Sequence, residues 1–197
     1  MAKNEQPIVL PRIQIARIGV TLIGDSPLIC HRWSEKAVKM MLDAQMKKAR
    51  QAKEAKNPEE DFRSSLYPHP DGGYGFPAVA FKAAPVSACR FADGVKMSEV
   101  RGCFHIETDL VPIVGTPTMR QDMVRVGMGA ADIRFRGEFR EWRTMLPIKF
   151  NASAISAEQI INLLNLGGFG VGIGEWRPER DGSFGRFHVA SGEEVGQ

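Results

Sequence analysis

The chain has 197 residues with a formal net charge of +3 at pH 7, and 43% of them are hydrophobic, which is typical of a globular protein of one domain. No run approaches the ~18 consecutive apolar residues of a membrane span, and the N-terminus lacks the apolar stretch of a secretory signal, so we expect no membrane contact. An odd number of widely spaced cysteines favours a reducing compartment and argues against a disulfide framework: Cys30, Cys89 and Cys103.

The first third of the chain predicts one strand, one charged helix and a long loop. Apolar side chains alternate over residues 13–23, which indicates a strand after a loose N-terminal arm. Ser34 can cap a helix over residues 34–55, whose lysine-rich second half is typical of a solvated face. Six prolines and glycines between residues 57 and 76 predict a long loop.

The middle of the chain predicts a helix and a strand. Pro77 suits the first position of the helix, which is expected to end at Gly94. Pro85 lies inside it and predicts a kink or a restart, because proline removes a helical hydrogen bond. A strand is expected over residues 100–108, whereas residues 109–132 show little periodicity.

The last third of the chain predicts three further elements. Residues 142–150 indicate a strand, and Pro147 within it favours a position at a sheet edge. An S-x-x-Q capping box at Ser156 opens a helix that Gly167 is expected to end. A final strand is predicted within residues 183–191.

The order of these elements predicts the fold. When residues 34–76 and 109–141 are set aside, the order is strand, helix, strand, strand, helix, strand. This is the βαββαβ order of an α+β, ferredoxin-like or RRM-like fold. We therefore expect a single ferredoxin-like domain with two insertions, the first a charged helix plus loop and the second a thumb-like hairpin.

Residues 166–187, here called the glycine-rich segment, carry the strongest functional signal. They hold seven of the twenty glycines of the chain, together with three phenylalanines, one tryptophan and three arginines. Glycine lets backbone approach a ligand closely, arginine pairs with phosphate through a rigid fork, and an aromatic ring offers a face on which a base stacks. The segment therefore predicts binding of a polyanion that carries bases, through Gly168, Phe169, Gly170, Gly172, Gly174, Trp176, Arg177, Arg180 and Arg186.

The glycine-rich segment is also compatible with a purely structural role. A tight, flexible hairpin would account for the glycines without a ligand, whereas a dinucleotide-binding loop would follow a strand and not a helix. We expect Phe184 and Phe187 in the core, because an aromatic residue in or beside a strand usually packs there. Phe169 and Trp176 suit either the core or base stacking.

Basic residues outside this segment also have two interpretations each. If residues 133–139 form a strand, Arg134 and Arg136 share one of its faces and could clamp a phosphate backbone. Lys82 and Arg90 lie eight positions apart on the second predicted helix. They either line a common groove or are separately solvated.

The four histidines give no catalytic or metal-binding pattern. FHIET (104–108) and FHVAS (187–191) look alike, but Thr108 and Ser191 stand three positions after histidine, not two as in two-histidine phosphoesterases. No cysteine and histidine spacing resembles a zinc signature. We therefore expect no catalytic residue, no metal and no cofactor.

Three features of the chain resemble the RAMP superfamily, especially the backbone subunits that coat guide RNA in multi-subunit CRISPR effector complexes. The first is the ferredoxin-like order with its two insertions. The second is FPAVAFKAAPVSACRF (76–91), similar to a family helix that begins after an aromatic-proline turn. The third is a helix followed by GGFGVGIGEWRPERDGSFGRF (167–187), in which Ser183-Phe184-Gly185 resembles a G-[FY]-G turn.

The resemblance implies which residues contact nucleic acid. Residues 167–185 would touch its backbone, and residues 109–141 would correspond to a thumb that reaches the neighbouring subunit. A loop after the first strand would lie along the nucleic acid, and two basic residues would line the groove. The loop residues are His31, Arg32 and Trp33, and the two groove residues are Lys82 and Arg90.

The family also implies assembly, because such subunits pack head to tail into helical filaments, an interface that is open by nature. This chain is shorter than most backbone subunits. A compact relative encoded by a phage or prophage, which coats single-stranded DNA or RNA, suits the chain as well as a subunit of a CRISPR effector. The missing signal sequence and the few cysteines fit the cytoplasm of a bacterial or phage-infected cell.

Three functions follow as hypotheses. The leading one is a non-catalytic protein that binds single-stranded RNA or DNA, largely independently of sequence, and assembles along it. The second is a metal-independent endoribonuclease of the same superfamily, with His31 as general acid or base. The third is a phage structural or interaction protein whose arginines face a protein partner.

Overall fold

The structure, a computed structural model, describes residues 12–48, 55–126 and 129–195. Ten strands lie in these ranges: β1 Ile15–Gly24, β2 Leu28–Ile29, β3 Tyr67–Pro68, β4 Tyr74–Pro77, β5 Phe104–Ile106, β6 Leu110–Ile113, β7 Pro117–Val126, β8 Ala130–Phe139, β9 Arg143–Asn151 and β10 Phe187–Val189. The α-helices in the same ranges are α1 Glu35–Gln45, α2 Pro58–Ser65, α3 Ala78–Ala88, α4 Met97–Cys103, α5 Ala157–Gly170 and α6 Gly192–Val195. Short 3-10 turns lie at Cys89–Phe91 and Pro178–Arg180. None of the described helices is long and apolar enough to cross a membrane.

The central sheet confirms the predicted α+β, ferredoxin-like fold. Its four strands lie in the order β10-β1-β9-β5, and all neighbours are antiparallel. When β1, β5, β9 and β10 are numbered 1 to 4 in chain order, the order in the sheet is 4-1-3-2. The βαββαβ connection produces this order when each crossover helix skips one strand. The helices α3 and α5 provide the two crossovers and pack against each other.

Buried and exposed side chains alternate along the strands, and the buried ones form the core. Val20 and Leu22 of β1 and Leu146 and Ile148 of β9 are buried in one hydrophobic cluster that includes the helices, whereas Arg17 points to the other face of the sheet. The period of two puts every second side chain on the core face, so the polar residues between them stay in solvent.

Two further sheets lie beside this core. The strands β7 and β8 form a long hairpin, and β8 also pairs with β2, which follows β1 directly in the chain. The third sheet has the order β3-β4-β6. Helix α2 packs on β8, where the Oγ of Ser65 accepts a 2.8 Å hydrogen bond from the backbone N–H of Gly137.

Several boundaries differ from the sequence prediction. Residues 57–76 contain α2, β3 and β4 and are not one long loop. The strand expected over residues 100–108 is shorter, because its first part belongs to α4, and only β5 remains. The helix expected over residues 34–55 ends at Gln45, and residues 49–54 lie outside the described ranges, as do residues 1–11 of the arm.

Three prolines take positions that the structure now defines, and Pro77 is the residue directly before α3, not its first residue. Pro85 lies inside α3, which continues to Ala88 as one helix and does not restart. Pro147 lies in β9, which is central, between β1 and β5. Its carbonyl accepts a 2.9 Å hydrogen bond from Glu107, directly after the last residue of β5. A central strand tolerates this proline because its missing N–H falls where the neighbouring strand ends.

Candidate nucleic-acid interface

The first part of the glycine-rich segment is helical. Helix α5 does not end at Gly167 but continues to Gly170. A Cβ on Gly167 would lie 2.7 Å from the backbone nitrogen of Pro85, and one on Gly168 would collide with the carbonyl oxygen of Phe187. These glycines therefore let α5 approach α3 and β10 closely, and both are buried. Packing accounts for them without a ligand.

Residues 171–185, here called the strap, are fastened to β2 and to the turn before it. Gly185 donates a 2.8 Å hydrogen bond to Pro27, and Glu175 donates a 3.1 Å bond to Ile29. Gly174 has a φ of +78°, and a Cβ there would lie 2.6 Å from the carbonyl oxygen of Ile29. Backbone hydrogen bonds thus hold the strap against β2, and close packing accounts for Gly174 without a ligand.

The strap contains a turn that presents Trp176. The backbone carbonyl of Trp176 accepts a 3.0 Å hydrogen bond from Phe184, and that of Arg177 accepts a 3.1 Å bond from Gly182. Trp176 has a φ of +54°, which is uncommon for a bulky residue and costs conformational energy. Trp176 is 43% exposed, so a large part of this residue stays open to solvent.

His31 and Glu175 meet where the strap crosses the chain after β2. The imidazole Nδ1 lies 2.8 Å from Oε1 of the carboxylate. This hydrogen bond lowers the pKa of Glu175 below its ordinary value, although partial burial opposes the shift. Both side chains line a cleft of about 280 Å³ between α3 and residues 171–175. The cleft is also lined by Tyr67, Phe76, Pro77, Ala80, Ala83, Arg177 and Glu179, among others.

Four of the predicted cations are paired with carboxylates. Glu179 accepts hydrogen bonds from Arg177 at 3.0 Å and from Arg90 at 3.2 Å. Arg136 is only 4% exposed and lies 3.2 Å from Asp122 and 3.9 Å from Glu175. Arg134 lies on the same face of β8 and is 3.6 Å from Asp132. Arg136 is therefore buried between Asp122 of the β7–β8 hairpin and Glu175 of the strap and is not a free cation.

The other four predicted cations have no carboxylate within ion-pair distance among the residues described. Arg180 is exposed, and the guanidinium of Arg186 donates a 3.2 Å hydrogen bond to the backbone carbonyl of Ser183. Lys82 lies 3.2 Å from His105 in a second pocket, of about 340 Å³, on the other side of the exposed Val79. These cations are Arg32, Lys82, Arg180 and Arg186.

Large aromatic side chains are exposed beside several of these cations. Trp33 follows Arg32 and is 58% exposed, and Phe169 at the end of α5 is 72% exposed. The ring of Phe91, also exposed, lies over Gly170 and beneath the guanidinium of Arg90. Such rings offer stacking faces that the core does not use. Phe169 and Trp176 are therefore not core residues.

The two phenylalanines expected in the core behave differently. Phe187 is fully buried against Phe81 and Trp142, as predicted. Phe184 is half-buried, and its ring lies 4.7 Å from the guanidinium carbon of Arg120 on the hairpin. The prediction for Phe184 is thus wrong, because the β7–β8 hairpin places the guanidinium of Arg120 over its ring instead of apolar neighbours.

Sequence reasoning missed three residues of this surface: Glu175, Phe91 and His105. Each takes its place from a contact distant in sequence, such as His31 with Glu175 or Lys82 with His105. The only local signal was the position of Glu175 between Gly174 and Trp176, the first acidic residue of the strap. Nothing near Phe91 or His105 distinguishes them from core residues.

The chain is similar to a known protein in structure but not in sequence. No protein-family model matches the sequence, and no curated protein matches it. The crystal structure of Cmr6 from Pyrococcus furiosus is similar, with a TM-score of 0.49 and 10% identity over 91% of this chain and 100% of that chain. The strand order of this chain, independently of that likeness, defines its fold.

Proposed function

We propose that this protein is a non-catalytic member of the RAMP superfamily that binds single-stranded RNA or DNA on the surface formed by the strap and the chain after β2. One observation carries the proposal. Cations without a carboxylate partner among the described residues stand close in the chain to exposed aromatic rings there: Arg32 directly precedes Trp33, and Arg180 lies four residues after Trp176. A protein that did not bind a charged, base-bearing ligand would gain little from leaving both kinds of side chain unpaired.

Each group has a distinct task in this proposal. Arg32, Arg180 and Arg186 on this surface and Lys82 beyond Val79 neutralise phosphates, which gives affinity without reading sequence. Trp33, Trp176 and Phe169 stack on bases, which every base permits. The glycines, Arg136 and Arg177 hold the strap in the shape that presents these groups.

A salt titration tests the proposal. If four cations meet phosphates, log K falls against log salt with a slope of roughly −3 on a single strand. We expect this slope when fluorescence anisotropy follows the binding of a labelled oligo-U or oligo-dT. Replacing both Arg180 and Arg186 with alanine should weaken binding and bring the slope to roughly −1.4.

Arg143→Ala is the matched control, because Arg143 is an exposed arginine on the sheet face opposite α3 and α5. It should bind as the wild type does and keep the full slope. Binding that does not respond to salt, or equal weakening in the control and in the double variant, would refute the proposed surface.

The contact between His31 and Glu175 favours a second function, a metal-independent endoribonuclease. A carboxylate 2.8 Å from Nδ1 orients the imidazole of His31, which lines the cleft and has Nε2 left to act as a general acid or base. The test is incubation of the wild type and His31→Ala with labelled RNA in a chelator. Cleavage by the wild type only would establish the enzyme, and intact RNA with both proteins would exclude it.

A further inference from the structure

The cleft between α3 and residues 171–175 differs from the rest of the proposed surface, because it is concave. Its volume of about 280 Å³ is enough for one nucleobase. The walls are apolar or aromatic and include Tyr67, Phe76, Pro77, Ala80 and Ala83. Flat, apolar walls with a few polar groups at one end are typical of a site that takes an unstacked base.

The polar groups of the cleft include His31, Glu175, Arg177 and Glu179, and the guanidinium of Arg177 is already bonded to Glu179 and to the carbonyl of Gly174. Oε1 of Glu175 accepts the hydrogen bond of His31, whereas Oε2 lies 3.9 Å from the Arg136 guanidinium, beyond hydrogen-bond distance. The carboxylate therefore keeps lone pairs for a ligand. The hydrogen bond to His31 and the charge of Arg136 both favour this position of the carboxylate. A ligand that fills this end must offer N–H donors in one plane.

We propose that this cleft binds one base of the bound strand and selects guanine, an inference that rests on the proposed single-strand binding. The Watson–Crick edge of guanine presents N1–H and N2–H side by side, and a carboxylate accepts both. Adenine and cytosine present a ring-nitrogen acceptor at the corresponding place. Uracil and thymine present one N–H between two carbonyl groups that the carboxylate repels.

A donor for the remaining guanine oxygen is also present. Tyr67 lines the same cleft, and its hydroxyl makes no hydrogen bond to another described residue. Burial raises the pKa of Tyr67, so the hydroxyl stays protonated and can donate to O6. The cleft thus provides acceptors for two donors of guanine and a donor for its acceptor.

The experiment compares oligonucleotides that differ in one base. A uniform pyrimidine strand, RNA or DNA according to which binds more tightly, receives a central guanine, inosine or adenine. Inosine retains N1–H and O6 but lacks the N2 amino group, so it isolates one of the two contacts with Glu175. We expect guanine to bind roughly tenfold more tightly than adenine, with inosine between them.

Two variants test the cleft by independent routes. Glu175→Gln removes the charge and one acceptor, so the guanine preference should disappear. Ala83→Leu fills the cleft from an exposed position on α3 and leaves every polar group in place. It should abolish the preference in the same way, even if Glu175→Gln fails to fold.

Ala154→Leu introduces the same side chain at an exposed position in the turn after β9 and should leave the preference unchanged. Equal affinity for guanine, inosine and adenine in the wild type would overturn the guanine site while leaving single-strand binding intact. A preference that survives in Ala83→Leu would also overturn it. Failure to bind any oligonucleotide would refute the proposed function itself.

Discussion

Gly168 shows how one missing side chain sets the distance between two elements. A methyl group there would collide with the carbonyl oxygen of Phe187, a backbone atom that cannot move without shifting β10. We expect Gly168→Ala to lower the free energy of unfolding by about 1–3 kcal/mol, the usual cost of overpacking. Urea denaturation measures this loss.

Gly102→Ala provides the comparison for this prediction. Gly102 lies in α4, and a Cβ there would meet nothing within 4 Å. The variant should be more stable than the wild type by about 0.5–1 kcal/mol, because alanine loses less conformational entropy in a helix. If both alanine variants gained stability, close packing would not explain Gly168.

His188 links three parts of the chain through its ring. Nδ1 lies 2.6 Å from Asp25, and Nε2 lies 3.3 Å from Glu194 of α6. Partial burial opposes the charged form, but the hydrogen bond and the charge of Asp25, with the smaller effect of Glu194, raise the pKa of His188 above its ordinary 6.5. The imidazolium therefore stabilises the folded state.

The pH dependence follows from the direction of this shift. The stabilisation is fully present below the unfolded pKa of 6.5 and is lost as pH rises through the higher folded pKa. We expect the wild type to melt at a higher temperature than His188→Gln at pH 6, and the difference to shrink as the solution becomes alkaline. Thermal melts across this range measure it, and a difference independent of pH would contradict the assignment.

At the scale of elements, the β7–β8 hairpin depends on ion pairs at its base. Arg120 contacts Asp122 at 2.8 Å and Glu138 at 2.7 Å, and the nearly buried Arg136 adds a contact to Asp122 at 3.2 Å. Removing Arg136 leaves the carboxylate of Asp122, which is about nine-tenths buried, with Arg120 as its remaining cation.

We therefore expect Arg136→Leu to cost about 1–3 kcal/mol of stability and to speed amide hydrogen exchange in β7 and β8. Arg134→Leu is the control on the same face, where the side chain is more exposed and its ion pair is longer. It should change stability by less than about 0.5 kcal/mol. Equal exchange rates in both variants would show that the hairpin does not need Arg136.

Helix α5 shows why one end of an element is predictable and the other is not. Its start depends on the capping box, in which Gln159 donates a backbone N–H to Ser156 and its side chain accepts one in return, and these contacts are local in sequence. Its end depends on α3 and Phe187, which lie far away along the chain. Glycine is a helix stop by propensity, but close packing overrides that preference.

At the scale of the whole molecule, the resemblance to filament-forming subunits predicts assembly along the ligand. Each protomer would present the same surfaces, and a head-to-tail contact repeats without closing. We expect negative-stain electron microscopy of the purified protein to show rods with bound nucleic acid. Nuclease treatment should dissolve them, because the strand spans neighbouring protomers.

Two outcomes would count against this prediction. Single particles in the presence of a long single strand would show that binding does not lead to assembly. Rods that survive digestion would show that protein contacts alone hold them. An ultraviolet spectrum without a nucleic-acid contribution in the material as purified would favour the alternative of a protein-binding arginine surface.

The sequence alone determined the ferredoxin-like core. The periods of strands and helices and the order of the elements can be seen in the sequence without knowledge of tertiary contacts. It also located the glycine-rich segment as the candidate site. Only the tertiary structure decided what each residue there does. Gly168 lets α5 approach β10 closely, Arg136 pairs with the nearly buried Asp122, and Glu175 meets His31. Contacts between residues far apart along the chain set these roles, and neither composition nor spacing records which carboxylate a given arginine will reach.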